Sequence, residues 1–265
     1  MFTIIIATKN NADNLDRCLT HLATITVPKQ VIVKDAKSTD HTDEIITKNA
    51  AVVSKFISLS DKGIYDAWNQ ALPYAAGEYI CFSGADDLID RGWIAAALSY
   101  ASEVQVKPAL IYGNLIRRLG DRERLYAPPE MTEIYPTDLR RFWIPHPGLL
   151  HHRSLFDGRT FRQDLQLAGD YHFILRAVLL AGRVTCKKIV GTQCIMGADG
   201  LSHSMKGVDL SELDFEKIET ELGFRPAPPR IRVQFLRLVS SWCPVCALRL
   251  RRLSWWLLGE RKLRS

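Results

Sequence analysis

Of 265 residues only six are cysteine, at positions 18, 81, 186, 194, 243 and 246, too scattered for a disulfide scaffold. Glycine (16) and proline (12) are sparse, which excludes collagen-like and low-complexity chains. No apolar run approaches the ~18 residues of a membrane-spanning helix, and no repeat at solenoid or propeller period is present. No Gly-x-Gly-x-x-Gly follows the first apolar run, and Gly-x-x-x-x-Gly-Lys-Ser/Thr occurs nowhere. These absences argue against dinucleotide redox chemistry and against a phosphate-loop NTPase. The start, Met1 to Ile6, lacks the basic stretch of a signal peptide, so a cytoplasmic protein is expected.

What is present is apolar content, 47%, with 24% charged residues, which excludes disorder as the main state. The length suits one large domain, or one plus an appendage. Charge is unevenly placed. From Arg225 onward there are ten basic residues and one acid, Glu260, so this stretch is +9 within a chain of net +6 and the remainder is −3. The expected division is a catalytic body over 1–225 and a basic helical tail over 226–265.

Short apolar runs alternate with helical patterns over the first hundred residues. Phe2 to Ala7, Val31 to Val33, Val52 to Leu59 and Tyr79 to Phe82 read as strands. Leu15, Leu19 and Leu22 recur at helical spacing. Thr39-Asp40 is placed to cap a helix carrying Ile45 and Ile46. Ile64 to Ala76 reads as helix with Gly77 as its C-cap, and Trp93 to Ala101 as another. This order predicts an α/β fold with a mostly parallel, doubly wound sheet. Beyond it, Leu110 to Gly113 starts a strand and a hairpin turns at Gly120-Asp121. Gly148 to Leu150 is a short strand, Tyr171 to Leu180 a helix, Val184 to Ile195 one or two strands, and Leu210 to Leu222 an amphipathic helix.

Ligands of such sheets bind beyond the carboxyl ends of the strands. Four polar clusters fall there: Thr8 to Asn10, Asp35 to Asp40, Asp61 to Gly63, and Asp86-Asp87. The adjacent carboxylates of Asp86 and Asp87 repel each other unless a cation sits between them, which points to Mg²⁺ or Mn²⁺ with oxygen ligands. The competing reading is that one of them caps the helix that starts near Asp90.

The ordered motifs resemble glycosyltransferases of family 2, which have the GT-A fold, in the subgroup related to bacterial exopolysaccharide transferases. The resemblance rests on Ile4 to Asn10, Val33 to Thr42, Ser60 to Asn69, Ala76 to Ile80 and Gly84 to Asp87. It continues through His146 to Phe156, then Gly169-Asp170-Tyr171 with Leu175-Arg176, and spans about residues 2–205. The sequence departs from the family pattern at Lys34, where an acid is frequent, at Ala36 after Asp35, and at Gly84 in place of a first acid.

The resemblance implies inverting transfer from a nucleoside diphosphate sugar, most often UDP-linked and alternatively GDP-linked, to a glycan or lipid-linked acceptor. Position by position it implies that Thr8, Asn10 and Asp35 line the nucleoside pocket. Asp61, Lys62 and Gly63 approach the base or diphosphate, with Asp66 and Asn69 nearby. Asp86 faces the ribose or sugar, Asp87 ligates the metal with Asp86 beside it, and Asp170 is the general base. Inversion needs one such base, with charge stabilisation on the leaving diphosphate. Asp170 is equally placed to cap the helix that follows. On the acceptor side, His146 is a candidate third metal ligand or acceptor contact. Trp143 and Tyr171 are candidates to stack on a sugar, and Arg176 to pair with Asp170 or a phosphate.

Cys243-Pro244-Val245-Cys246 has no second pair at metal-site spacing and reads as packing. Arg230 to Leu263 interleaves arginines with Trp242, Trp255, Trp256 and leucines, with Pro244 dividing two helical pieces. Such a segment suits the inner face of the cytoplasmic membrane. Packing on the body or in a homodimer is the second reading, and nucleic acid, favoured by charge alone, is set aside. Two other function classes fit parts of the pattern: a nucleotidyltransferase releasing pyrophosphate, and a non-enzymatic, membrane-docked nucleotide-sugar binding module.

Overall fold

A computed structural model describes residues 1–119, 122–138, 144–197, 205–223 and 261–262. The first half alternates strand and helix: β1 (Phe2–Thr8), α1 (Ala12–Ala23), β2 (Lys29–Asp35), α2 (Thr42–Lys48), β3 (Lys55–Ser58), α3 (Ile64–Ala71) and β4 (Tyr79–Gly84). It continues with β5 (Leu88–Ile89), α4 (Arg91–Glu103), β6 (Leu110–Leu119), β7 (Arg122–Tyr126), β8 (Glu133–Ile134) and β9 (Leu150–His152). Helix α5 (Gly169–Ala181), β10 (Val184–Met196), α6 (Met205–Leu222) and β11 (Arg261–Lys262) complete it.

Strand order along the main sheet is β11-β7-β6-β9-β4-β1-β2-β3. Strands β3, β2, β1 and β4 are parallel neighbours, as the alternating pattern predicts. The chain leaves β1 toward β2 and β3, then returns to place β4 on the other side of β1. That reversal opens a crevice at the carboxyl ends of β1 and β4, where Ala7 lies opposite Gly84. The second half departs from a purely parallel sheet: β9 runs antiparallel between β4 and β6, and β6 pairs with β7 as a hairpin. Strand β10 runs parallel to β6 and antiparallel to β5 and β8.

Both faces of the parallel strands are buried, which is why β1 reads as a continuous apolar run rather than an alternating one. Ile5, Ile32 and Phe82 pack on one face with Tyr65 and Trp68 of α3 and Phe173 and Ile174 of α5. Ile4, Ile6, Val31 and Val33 pack on the other with Leu15 and Leu19 of α1 and Trp93 and Ile94 of α4. The thiols of Cys18, Cys81, Cys186 and Cys194 are free and buried. Burial pushes the Cys18 thiol up to about 12, so it packs and does not react.

Several boundaries differ from the sequence reading. The third strand is only Lys55–Ser58, because Val52 and Val53 close the turn after α2 onto Asn49. Helix α3 ends at Ala71 and tightens into a 3₁₀ turn, Leu72–Tyr74, at Pro73. Gly77 is therefore not a C-cap; a Cβ there would lie 2.5 Å from the Thr3 nitrogen, so the residue serves the close approach of chain to β1. The N-cap of α2 is His41, with no side-chain cap bond, rather than Thr39 or Asp40; Asp40 instead ties two helix starts together, its carboxylate accepting from the Thr42 nitrogen and hydroxyl and from the Ala12 nitrogen of α1. The cap of α4 is Asp90, which accepts from the Trp93 nitrogen at 2.7 Å, so neither Asp86 nor Asp87 serves there. Gly120-Asp121, Trp143, Cys243 and Cys246 lie outside the described residues, as does the expected tail apart from the strand at 261–262.

Candidate active site

The polar clusters converge at the carboxyl edge of β1 to β4, and most of their carboxylates are occupied in building it. Asp35, 2% exposed at the end of β2, accepts from the Ser38 nitrogen and hydroxyl and from the Ser58 hydroxyl at 2.7 Å. It braces the second loop. Asn10, at φ 49°, takes the left-handed backbone region that Asn tolerates. Its side-chain oxygen accepts from the Thr39 nitrogen at 2.8 Å, while its own nitrogen donates to the Ser38 hydroxyl at 2.7 Å. The first two loops are thus stitched together. Thr8 is buried beneath them, and its hydroxyl has no partner among the described residues.

Lys34, which the sequence marks only as a departure from the family pattern, anchors the edge. Its side chain is fully buried, and its ammonium donates to Asp61 Oδ2 at 2.9 Å and to the carbonyls of Leu59 and Asp35 at 2.6 and 2.9 Å. This buried ion pair fixes the third loop against the second. Past it, the Gly63 nitrogen donates to Asp61, and the Lys62 nitrogen donates to Asp66, which also accepts from Gln163. Asn69 is occupied at both ends by the backbone of Phe161, at 2.8 and 2.9 Å, so it clamps that segment to α3. Lys9, Lys37 and Lys62 are exposed on these three loops, at an edge that also carries Asp40, Asp66, Asp86 and Asp87.

Asp86 and Asp87 follow β4 at the crevice. Asp87 is 6% exposed and accepts from the Gly84 nitrogen at 2.8 Å, with the Ser83 hydroxyl at 3.5 Å. Burial, and then the neighbouring Asp86 charge, push its carboxyl up to about 7. A Cβ on Gly84 would lie 2.8 Å from an Asp86 oxygen, and one on Gly197 would lie 2.4 Å from the other. Gly84, the departure from the family pattern, is thus what lets the two carboxylates fold back beside the strand end. The residues fit a hard divalent ion: two crowded carboxylates, one of them too buried to hold its charge unaided, leaving other positions for water and substrate phosphate. Among the described residues no three His, Cys, Asp or Glu side chains form a metal-binding group, so His146 does not join the pair.

His146 lies instead against Asp170. Its Nδ1 is 3.8 Å from Asp170 Oδ2, and its ring packs on Trp68 and Phe82 at centroid separations of 5.0 and 5.8 Å. His151 is 5.0 Å behind it, and the Nε2 atoms of both rings lack partners among the described residues. Burial pulls His146 down to about 3, so both rings are neutral. The loop is held by Gln193, whose amide donates to the Pro145 and Pro147 carbonyls at 2.8 Å each. This long-range clamp from β10 has no local sequence signal.

Asp170 is not the cap of α5. That helix begins at Gly169 with Ala168 as N-cap and no side-chain cap. The backbone donors before it, the nitrogens of Gln166, Leu167 and Ala168, all point to Asp214 of α6 at 2.6–2.9 Å. Asp170 Oδ1 is freed to accept from the Tyr65 hydroxyl at 2.9 Å, and burial raises its carboxyl above the ordinary range. Tyr171 is buried and packs edge-on against Phe215, so it belongs to the core. Arg176 pairs with Glu221 at 2.8 Å and not with Asp170. It borders a cavity of about 200 Å³ with Arg159, Arg162 and His172. There Glu221 also engages Arg162 and His172, the latter at 3.0 Å.

The family model described as Glycosyl transferase family 2 matches residues 3–161, more than half of the chain. A PGL/p-HBAD biosynthesis glycosyltransferase of Mycobacterium bovis is 27% identical over 256 residues, covering 91% of this chain and 97% of that one. The poly(ribitol-phosphate) beta-N-acetylglucosaminyltransferase TarS of Staphylococcus aureus is 26% identical over 194 residues, which is 69% of this chain but 33% of TarS. Among solved structures, S. aureus TarS 1-349 in complex with UDP-GlcNAc superposes with a TM-score of 0.63 at 19% identity, over 82% of this chain and 66% of that one. The mannosyltransferase PcManGT of Pyrobaculum calidifontis, in complex with GDP-Man and Mn²⁺, gives 0.61 at 21% identity, over 82% and 63%. At these identities the superpositions establish the shared GT-A fold. The chain belongs to glycosyl transferase family 2 and is a glycosyltransferase.

Proposed function

We propose that the protein transfers a sugar, with inversion, from a nucleoside diphosphate sugar to a hydroxyl of a glycan or lipid-linked acceptor. The observation that carries this reading is the crowded Asp86–Asp87 pair at the β1/β4 crevice. Asp170 sits across the same aromatic cluster: Phe82 of β4 packs on His146, which faces Asp170. In this reading Asp170 removes the proton of the acceptor hydroxyl, and that oxygen attacks the anomeric carbon. The bond to the diphosphate oxygen breaks on the opposite side, and the nucleoside diphosphate leaves with the electron pair. Asp87 with Asp86 would hold a divalent ion, Mn²⁺ or Mg²⁺, which when bound would supply positive charge to the leaving diphosphate. Lys9, Lys37 and Lys62 add to that charge at the rim. The orphaned Thr8 hydroxyl is the donor-side group with hydrogen-bonding capacity to spare.

A uridine donor is the first choice and a guanosine donor the second, since solved neighbours carry UDP-GlcNAc and GDP-Man. Relatives named for glycolipid and poly(ribitol-phosphate) glycosylation support a role in envelope polysaccharide or glycolipid assembly. Among the described residues no helix is long and apolar enough to cross a membrane. The basic, tryptophan-bearing tail supports docking of the protein on an anionic membrane surface, where a lipid-linked acceptor would be met.

A thermal-shift panel of UDP- and GDP-sugars, with and without Mn²⁺, tests the reading. A ligand that binds only the folded state raises Tm by linkage. One base should give a shift that requires the metal and is lost in Asp87→Asn. Equal shifts with and without metal would overturn the metal-dependent mode, and no shift with any diphosphate would overturn the donor class.

A further inference from the structure

Tyr65 is the first-turn tyrosine of α3, 105 positions before Asp170 in sequence, and its hydroxyl donates to Asp170 Oδ1 at 2.9 Å. The phenol ring is 4% exposed and wedged among aromatic neighbours, with Trp68 at 5.5 Å and Phe161 at 5.8 Å between centroids. On its far side the chain presses the Gly169 backbone against the ring: a Cβ at Gly169 would lie 2.7 Å from two ring carbons. Glycine immediately before the carboxylate is thus what lets the hydroxyl and Asp170 meet. The ring cannot turn away without leaving a buried hydroxyl unpaired.

We propose that Tyr65 is a positioning residue for the reaction, holding Asp170 in one orientation so that Oδ2 alone is presented to the acceptor hydroxyl. This rests on the reading of Asp170 as the base. The side chains that face the carboxylate are Tyr65 from α3 and His146 from the loop before β9, with neutral His151 behind His146, and the backbone nitrogens of Asp170 and Tyr171 also meet it. Neither histidine supplies charge; the backbone nitrogen of Tyr171, the Tyr65 hydroxyl and the backbone nitrogen of Asp170 favour the ionised, proton-accepting form, and of these the tyrosine is the side chain. The same helix opens directly after the Asp61–Gly63 loop, so the tyrosine and the donor side rest on one rigid element.

The test is Tyr65→Phe in the full-length protein, with initial rates measured across pH at saturating and limiting donor. A hydrogen bond to a charged group is worth roughly one pH unit or more of carboxyl acidity. The expected result is a kcat reduced about 10-fold or more near neutrality and an unchanged donor KM. The acidic limb of kcat should move up by about one unit, so that activity is partly recovered at high pH. Phe161→Leu, which disturbs the same aromatic packing without touching Asp170, should leave that limb in place. An unmoved limb in Tyr65→Phe, or an equal movement in Phe161→Leu, would overturn the proposal. Asp170→Asn separates the two levels. If that variant keeps full activity the base reading itself fails, whereas an inactive Asp170→Asn beside an unaffected Tyr65→Phe defeats only the positioning role.

Discussion

The two sides of the crevice are built on opposite terms. On the β1–β3 side nearly every polar side chain is satisfied by the protein itself: Asp35 by Ser38 and Ser58, Asp61 by Lys34, Asn10 by Thr39. On the β4–α5 side polar groups are buried with too few partners. Asp87 and Asp170 are displaced upward by burial, and the Nε2 atoms of His146 and His151 are orphaned. A self-satisfied frame stays in shape without ligand. A side whose carboxylates are hydrogen-bonded but have no countercharge stores the capacity to bind a cation and to accept a proton, which is where perturbed titration concentrates in enzymes. The β1–β3 side is therefore a scaffold, and the proposed chemistry falls on the other side.

The contrast can be broken first at Lys34. Lys34→Met leaves Asp61, 9% exposed at its side chain, without its countercharge. Loss of one partner of a buried pair costs about 3–5 kcal/mol. Denaturant melts should show that loss, and a loss below 1 kcal/mol would mean that the frame is held by packing alone.

The opposite side should respond to pH in a way the frame does not. Asp87 titrates near 7 in the fold against about 3.9 unfolded. Between those values the folded state binds the extra proton. Stability from this group is therefore present at low pH and lost as pH rises toward 7, by up to about 4 kcal/mol. Without divalent cation, Tm should fall from pH 5 to pH 8. Asp87→Asn should flatten much of that slope, and Mn²⁺ at pH 8 should stabilise the native protein more than the variant. A slope identical in both would remove the burial argument for the metal site.

Smaller effects sharpen the boundary of the site. Asp214→Ala orphans three backbone N–H groups before α5 and should cost about 2–3 kcal/mol, lowering kcat as the start of that helix loosens. A fall in stability with unaltered kcat would separate α6 from the base. Arg176→Gln removes an exposed pair with Glu221 and should cost under about 1 kcal/mol with kcat intact. A large kcat loss would restore the expectation that Arg176 meets a ligand.

The same contrast explains what the sequence disclosed. The β1–β4 frame and the four loops were legible because periodicity and strand-end polarity are local signals. So was the pairing of Asp86 with Asp87. The parts that were not legible depend on contacts distant in sequence. Asp170 read equally well as a helix cap because nothing near it announced that Asp214 takes the preceding backbone nitrogens, 46 to 48 positions away. Lys34 read as a departure from the family pattern because its partner lies 27 positions on. Arg176 reads as a partner of Asp170 or of a phosphate because Glu221 reaches it from another helix. The antiparallel insertion of β9 between β4 and β6 was hidden for the same reason, three residues being too short for a periodic signal.

The most direct measurement is the transfer rate of Asp170→Asn beside its affinity for the nucleoside diphosphate in the presence of Mn²⁺. Loss of a general base costs about 10²–10⁴-fold in rate. The account predicts a kcat lowered by that range, with diphosphate affinity within about twofold, since the donor frame and the Asp86–Asp87 pair are untouched (twofold being under 0.5 kcal/mol). Full transfer activity in a folded Asp170→Asn protein would contradict it.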